Sequence, residues 1–363
     1  MSGDELVRRL IRPSILAAAA YRVPDASGLI KLDAMENPYP CPGSLRDEWL
    51  EQLRGVNLNL YPDANARELK HRLRSVFAVP AGMDLFLGNG SDEIIQIITL
   101  ALARPGSVAL VIEPTFVMYG VSAGAAGMGV VGVPLLAPDC SLDLEALETA
   151  FERNRPAVTF LAWPNNPTGT LFPRGALEQI VHRAPGLVVV DEAYYPFSGE
   201  TLMADLARYE NLLVLRTLSK LGLAGLRLGF LAGHARWLEQ FEKIRPPYNV
   251  GTLAQVSAAF FLDRMDVFAD QARRICGERD RLSRRLAALA QVTLWPGAGN
   301  FLMFRVNSAP AAGVYDGLKS RGILIKLLDG AHPLLAGCLR VSVGGPEEND
   351  AFVAALAAVL DDR

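Results

Sequence analysis

Short apolar runs alternate with segments whose apolar residues recur every three or four positions. SVALVIEP (107–114), GVVGVPLL (129–136), AVTFLAW (157–163), GLVVVDEAY (186–194) and NLLVLRTLS (211–219) are rich in β-branched and aliphatic residues and predict buried strands. MDLFLGNGSDEIIQIITLALA (83–103) reads as strand, glycine turn and helix. Amphipathic spacing predicts helices over SLRDEWLEQLR (44–54), ANARELKHRLRSVFA (64–78), SLDLEALETAFERN (141–154) and PRGALEQIVHRA (173–184). Strands alternating with helices imply an α/β fold whose large domain has a mostly parallel central sheet flanked by helices.

The texture changes near residue 250. Residues 252–290 read as long helix, followed by strands in FLMFRV (301–306), GILIKLL (322–328) and LRVSVG (339–344) and a closing helix, EENDAFVAALAAVL (347–360). That part reads as a smaller α+β domain. Residues 1–30 predict a helical arm, with Pro13 and Pro24 bounding its alanine-rich middle, before a short strand and turn in LIKLDAMENPYP. The expected division is 1–50 for the arm and part of the small domain, 51–255 for the large domain and 256–363 for the rest of the small one.

At 363 residues the chain exceeds the usual size of a single core, in keeping with two domains. A net charge of −3 gives no electrostatic case for nucleic acid or an anionic membrane. The uncharged stretch 114–138 is long enough to span a bilayer, but Pro114, Pro134, Pro138 and its glycines break it into a buried helix and a strand. Cys41, Cys140, Cys276 and Cys338 are scattered, which argues against a disulfide framework or a metal site. The charged start MSGDELVRRL lacks the apolar core of a secretion signal, so a cytoplasmic location is expected.

Chemistry is expected where strands end in loops. LGNGSDE (87–93) runs a glycine turn into a helix, where free N–H groups would suit a phosphate; an ordinary strand-to-helix turn looks the same. WPNNPTG (163–169) presents the amides of Asn165 and Asn166 from a rigid turn, or is a plain Asn-Pro turn. Asp191 closes a very apolar strand, where a carboxylate needs a cation or donors, and a structural ion pair would satisfy it equally; Tyr194 follows in the exit loop. In TLSKLGLAGLRLGF (217–230), Lys220 and Arg227 sit among apolar residues and glycines, although the chain has only six lysines. Both could snorkel to water. A lysine held in an apolar site can instead become a nucleophilic amine, and an arginine can clamp a phosphate.

Together these parts suit one ligand. An amine, a carboxylate, an amide and a phenol match a pyridine ring bearing an aldehyde and a hydroxyl, and the glycine turn, serine and arginine match its phosphate. That ligand is pyridoxal 5′-phosphate (PLP). No strand-linked G-x-G-x-x-G supports a nicotinamide enzyme. Lys220 and the lack of a DNA-binding extension weigh against the sensor half of a transcription regulator.

The ordered set GSDE, PTF, PNNPTG, DEAY, SK and LAGLR resembles the fold-type I PLP-dependent aminotransferases, and among them the histidinol-phosphate aminotransferases, from MENP near the start to CLRVSVG near the end. The resemblance implies that Lys220 holds PLP through an imine and shuttles the substrate proton, and that Asp191 pairs with the ring nitrogen. Asn166 and Tyr194 would bond the ring oxygen, and Phe116 would stack on the ring. Ser91, Asp92, Ser219 and Arg227 would gather around the phosphate. Tyr61 would reach the cofactor of a second subunit, implying a homodimer. Arg340, with Asn37 and Tyr61, would bind substrate. The implied reaction is transamination of L-histidinol phosphate with 2-oxoglutarate, giving imidazole acetol phosphate and glutamate in histidine biosynthesis. An aromatic amino-acid aminotransferase or a PLP-dependent phosphothreonine decarboxylase is the rival of the same fold. Two departures bear on substrate: Met35 replaces the asparagine expected in MENP, and Lys326 stands where arginine is expected.

Overall fold

A computed structural model describes residues 1–20 and 23–361. Its centre is a seven-stranded sheet in the order Met83–Gly88, Gly229–His234, Leu212–Thr217, Leu187–Asp191, Val158–Ala162, Val108–Glu113, Gly129–Pro134. The last five strands in this order run parallel, while Gly229–His234 is antiparallel to both of its neighbours. Alternate residues feed two cores. Val188, Val190 and Val214 face one, Val189, Leu213 and Leu215 the other, and helices close both.

A second sheet is wholly antiparallel, ordered Lys326–Leu327, Cys338–Ser342, Phe301–Val306, Val292–Trp295. Helices Ala311–Ser320 and Pro346–Asp361 supply its core with Val314, Leu318, Phe352 and Leu356. Near the start of the chain, Ile30–Lys31 pairs in parallel with Ile323–Leu324. The segment 33–37 is thereby carried from the small sheet toward the large one.

Several elements differ from expectation. Gly229–His234 was not foreseen as a strand, because three of its residues are glycine or alanine and its apolar run follows a glycine-rich turn. The long helix over 252–290 is two, Thr252–Leu262 and Met265–Ala287, and GILIKLL is split into two short strands. A domain boundary at 255/256 would cut through Thr252–Leu262, whose Ala258, Phe260 and Phe261 pack in one core with Leu69 and Leu73. In the arm only Gly3–Leu10 and Pro13–Leu16 are helical, and neither buries a residue, so nothing holds the alanines that follow in a helix; Tyr21 and Arg22 lie outside the described residues. The stretch 114–138 holds the helix Met118–Ala126 and the strand Gly129–Pro134, and no helix among the described residues is long and apolar enough to cross a membrane. All four cysteines are free.

Candidate active site

The C-terminal ends of the parallel strands surround a cavity of about 240 Å³. Asp191 ends one strand, and the neighbouring strand Leu212–Thr217 delivers Ser219 and Lys220 on the turn that follows. The chain then reverses through Arg227, which has φ 48°, and returns as the antiparallel strand Gly229–His234. That reversal brings Arg227 beside the start of the helix Ser91–Leu102.

At the phosphate-sized end, Gly90 and Gly229 keep the backbone bare. A Cβ on Gly90 would lie 2.6 Å from Nη2 of Arg227, and one on Gly229 would lie 2.7 Å from the Ser91 nitrogen. The helix has no side-chain N-cap, so its first N–H groups stay open toward the cavity end that Arg227 borders. Ser219 accepts a hydrogen bond from Thr217 or donates to it at 2.9 Å, and Nη1 of Arg227 donates to Ser219 at 3.4 Å. Asp92 faces Arg227 at 3.8 Å.

On the same wall, Nζ of Lys220 donates to the Ala34 carbonyl at 3.0 Å. Loss of solvent lowers its pKa from 10.5 to about 8, and the Arg340 cation adds to that effect. The neutral amine is therefore within reach near neutral pH. Asp191 shows the opposite case: burial raises its carboxyl to about 6, against the pull of hydrogen bonds from Tyr119 and the Ala193 N–H. Nδ2 of Asn166 donates to the Tyr194 hydroxyl at 3.1 Å, while Arg340 donates to Oδ1 of Asn166 and to the Asp33 carbonyl. Burial also raises the Tyr194 phenol above its ordinary range.

Of the residues singled out from sequence, Ser91, Asp92, Phe116, Asn166 and Asp191 line this cavity, as do Tyr194, Ser219, Lys220 and Arg227. Arg340 joins through its bond to Asn166. Two residues lie elsewhere. Tyr61 is 80% exposed and stacks on Tyr248 with ring centroids 4.5 Å apart. Asn37 is off the cavity wall because its amide is already committed, donating to the Leu221 carbonyl and to Gln271 and accepting from the Tyr39 N–H.

Met35 does line the cavity, in a left-handed conformation with φ 54°. Asparagine tolerates that region better than methionine, which accounts for its expected place there. Here the Ser342 hydroxyl accepts from the Met35 N–H, and Asn300 donates to its carbonyl. Lys326 lies opposite Arg340 in the register of the small sheet. Tyr119, also on the wall, went unnoticed in the sequence. It is a lone phenol in a helix without charged residues, and only the fold reveals its 2.7 Å bond to Asp191.

The cavity wall thus carries an anion cup, a low-pKa amine and a buried carboxylate, a donor set that fits a phosphorylated pyridine aldehyde. Residues 27–356 match the family model for aminotransferase class I and II. The chain belongs to this family. It is 50% identical to histidinol-phosphate aminotransferase 1 of Ralstonia nicotianae, over 99% of this chain and 97% of that one. It is 51% identical to the histidinol-phosphate aminotransferase of Chromobacterium violaceum, over 96% of this chain and 98% of the relative. Among solved structures, the histidinol-phosphate aminotransferase of Sinorhizobium meliloti in complex with pyridoxal-5′-phosphate superposes with a TM-score of 0.85 at 24% identity, covering 97% of this chain and 98% of that one. This class I and II aminotransferase therefore has the fold-type I architecture expected from its strand-end motifs.

Proposed function

We propose that the protein uses PLP to transfer the amino group of L-histidinol phosphate to 2-oxoglutarate, giving imidazole acetol phosphate and glutamate. The observation that carries this reading is the joining of one complete donor set, Lys220, Asp191, Asn166, Tyr194 and the Arg227 cup, to a chain half identical over its length to histidinol-phosphate aminotransferases. When bound, PLP supplies an electron sink that lets a proton leave the carbon bearing the substrate amine.

The chain's own groups do the rest. The helix N–H groups at Ser91 and Asp92, with Ser219 and Arg227, hold the phosphate. Asp191 would hold a proton on the ring nitrogen, its ionised carboxylate facing that cation. Asn166 and Tyr194 would orient the ring oxygen, and Phe116 would cover a ring face. The Lys220 amine anchors the cofactor and, once free, moves the proton from the substrate carbon; its pKa of about 8 suits a base at neutral pH. Arg340 binds the acidic group of either substrate, a phosphate in one half-reaction and a carboxylate in the other. Exposed Tyr61 is read as reaching a second copy of the chain in a homodimer, and the setting as cytoplasmic.

The test is spectroscopic. Adding L-histidinol phosphate to the purified holoprotein should bleach its visible absorption band, and 2-oxoglutarate should restore it. Bleaching by aromatic amino acids or by phosphothreonine, with none by histidinol phosphate, would favour the rival activities and sink this one.

A further inference from the structure

We propose that Tyr119 is the positioning residue for Asp191 and, through its ring, for Phe116. The inference rests on the reading of Asp191 as the partner of the cofactor's ring nitrogen. Tyr119 is fully buried. Its ring lies flat on Phe160, with centroids 5.0 Å apart and planes at 5°, and Phe116 meets it edge-on at 5.5 Å. The phenol donates to Oδ2 of Asp191 at 2.7 Å, while the Ala193 N–H donates to Oδ1 at 3.0 Å.

Each carboxylate oxygen is thus tethered by one donor, and the group cannot turn without breaking both bonds. Phe160 and Phe116 fix the phenol ring, so the aim of the carboxylate and the seat of the stacking ring depend on one side chain. The phenol stays a donor, because burial, and then the nearby carboxylate, push its ionisation well above 10. The other groups acting on Asp191 are of like sign: Asp92 from the helix start and Glu192 next in the chain, which is itself paired with Arg216. Tyr194 faces the same space. Against burial first, and then that field, the phenol and one backbone N–H favour the charged form of the carboxylate.

Binding of pyridoxamine 5′-phosphate to the apoprotein tests this without any turnover, and the probe cannot form an imine with Lys220. Tyr119→Phe keeps the ring stack and removes only the donor. It should bind the probe about tenfold more weakly, as for loss of a hydrogen bond to a charged group, while the apoprotein still unfolds in one cooperative transition. In an Asp191→Asn background, the same change should have little further effect, since the tyrosine acts through the carboxylate. Wild-type affinity in Tyr119→Phe, or a loss that persists in full in the Asp191→Asn background, overturns the inference alone. Wild-type affinity in Asp191→Asn itself overturns the reading of Asp191 and this inference with it.

Discussion

Arg340, on a strand of the small sheet, donates to Oδ1 of Asn166, in the loop that follows a strand of the large sheet. Asn166 passes the contact on to Tyr194, and the second Arg340 nitrogen holds the Asp33 carbonyl at 2.9 Å. One guanidinium thus joins three separate parts of the chain at the edge of the cavity. Arg340→Ala should raise KM for both amino donor and 2-oxo acid by about a hundredfold, the scale for losing charge-assisted bonds to an acidic ligand, while the cofactor band remains. Arg340→Lys should rescue little, because one ammonium cannot reproduce the planar fork. Steady-state kinetics on both substrates check this, and an unchanged KM would leave the contact a purely structural tie.

The raised carboxyl of Asp191 has a consequence for stability. Its folded value of about 6 lies above the ordinary 3.8, so the folded apoprotein binds more protons between these values than the unfolded chain. Stability of the apoprotein from this group is therefore full below about pH 4 and is lost as pH rises through 6. Asp191→Asn should accordingly be the more stable apoprotein above pH 6, by up to about 3 kcal/mol for a shift of this size. Its advantage should vanish in acid. Urea titrations of both apoproteins across this range measure the crossover.

Gly90→Ala strikes the anion cup. The added methyl would sit 2.6 Å from Nη2 of Arg227, on a backbone at φ 84° that alanine rarely adopts. Arg227 must swing away, and at φ 84°, ψ 167° the backbone lies in a region nearly reserved for glycine, which costs alanine about 1–3 kcal/mol besides. We expect cofactor to be lost on desalting and its affinity to fall at least about tenfold, the worth of a charged contact. Retention equal to wild type would mean that the phosphate lies elsewhere.

Behind the site, Nε and Nη2 of buried Arg216 both donate to Oε2 of Glu192, at 3.0 and 2.8 Å, and the guanidinium lies over Tyr195. These residues adjoin Asp191 and Thr217, so the pair ties together the two strand ends that carry the chemistry. Glu192→Gln leaves a buried cation without its counter-charge and should cost about 3–5 kcal/mol of folding stability. Chemical denaturation gives the figure directly, and a loss under about 1 kcal/mol would not fit a buried pair.

Most of the parallel sheet was legible because its strands are continuous apolar runs, and the cofactor side of the site because its residues cluster in motifs at the ends of those runs. Legibility stopped where meaning depends on long-range packing. Gly229–His234 has too little β-branched character to read as a strand, and it becomes one by pairing on both sides. Nothing local marks Tyr119, whose role comes from a residue 72 positions away. Nor does the motif around Asn37 reveal that its amide bonds Leu221, Gln271 and Tyr39 and stands off the cavity wall.

Arg227 occupies the corner between two strands with a backbone that glycine or asparagine would adopt at lower cost. The position therefore sets fitness for folding against fitness for turnover. A library sorted only for heat resistance should enrich Arg227→Gly, and the survivors would be sturdy proteins that let go of their phosphate. Any programme to harden this scaffold should hold that corner fixed and look for its gains elsewhere.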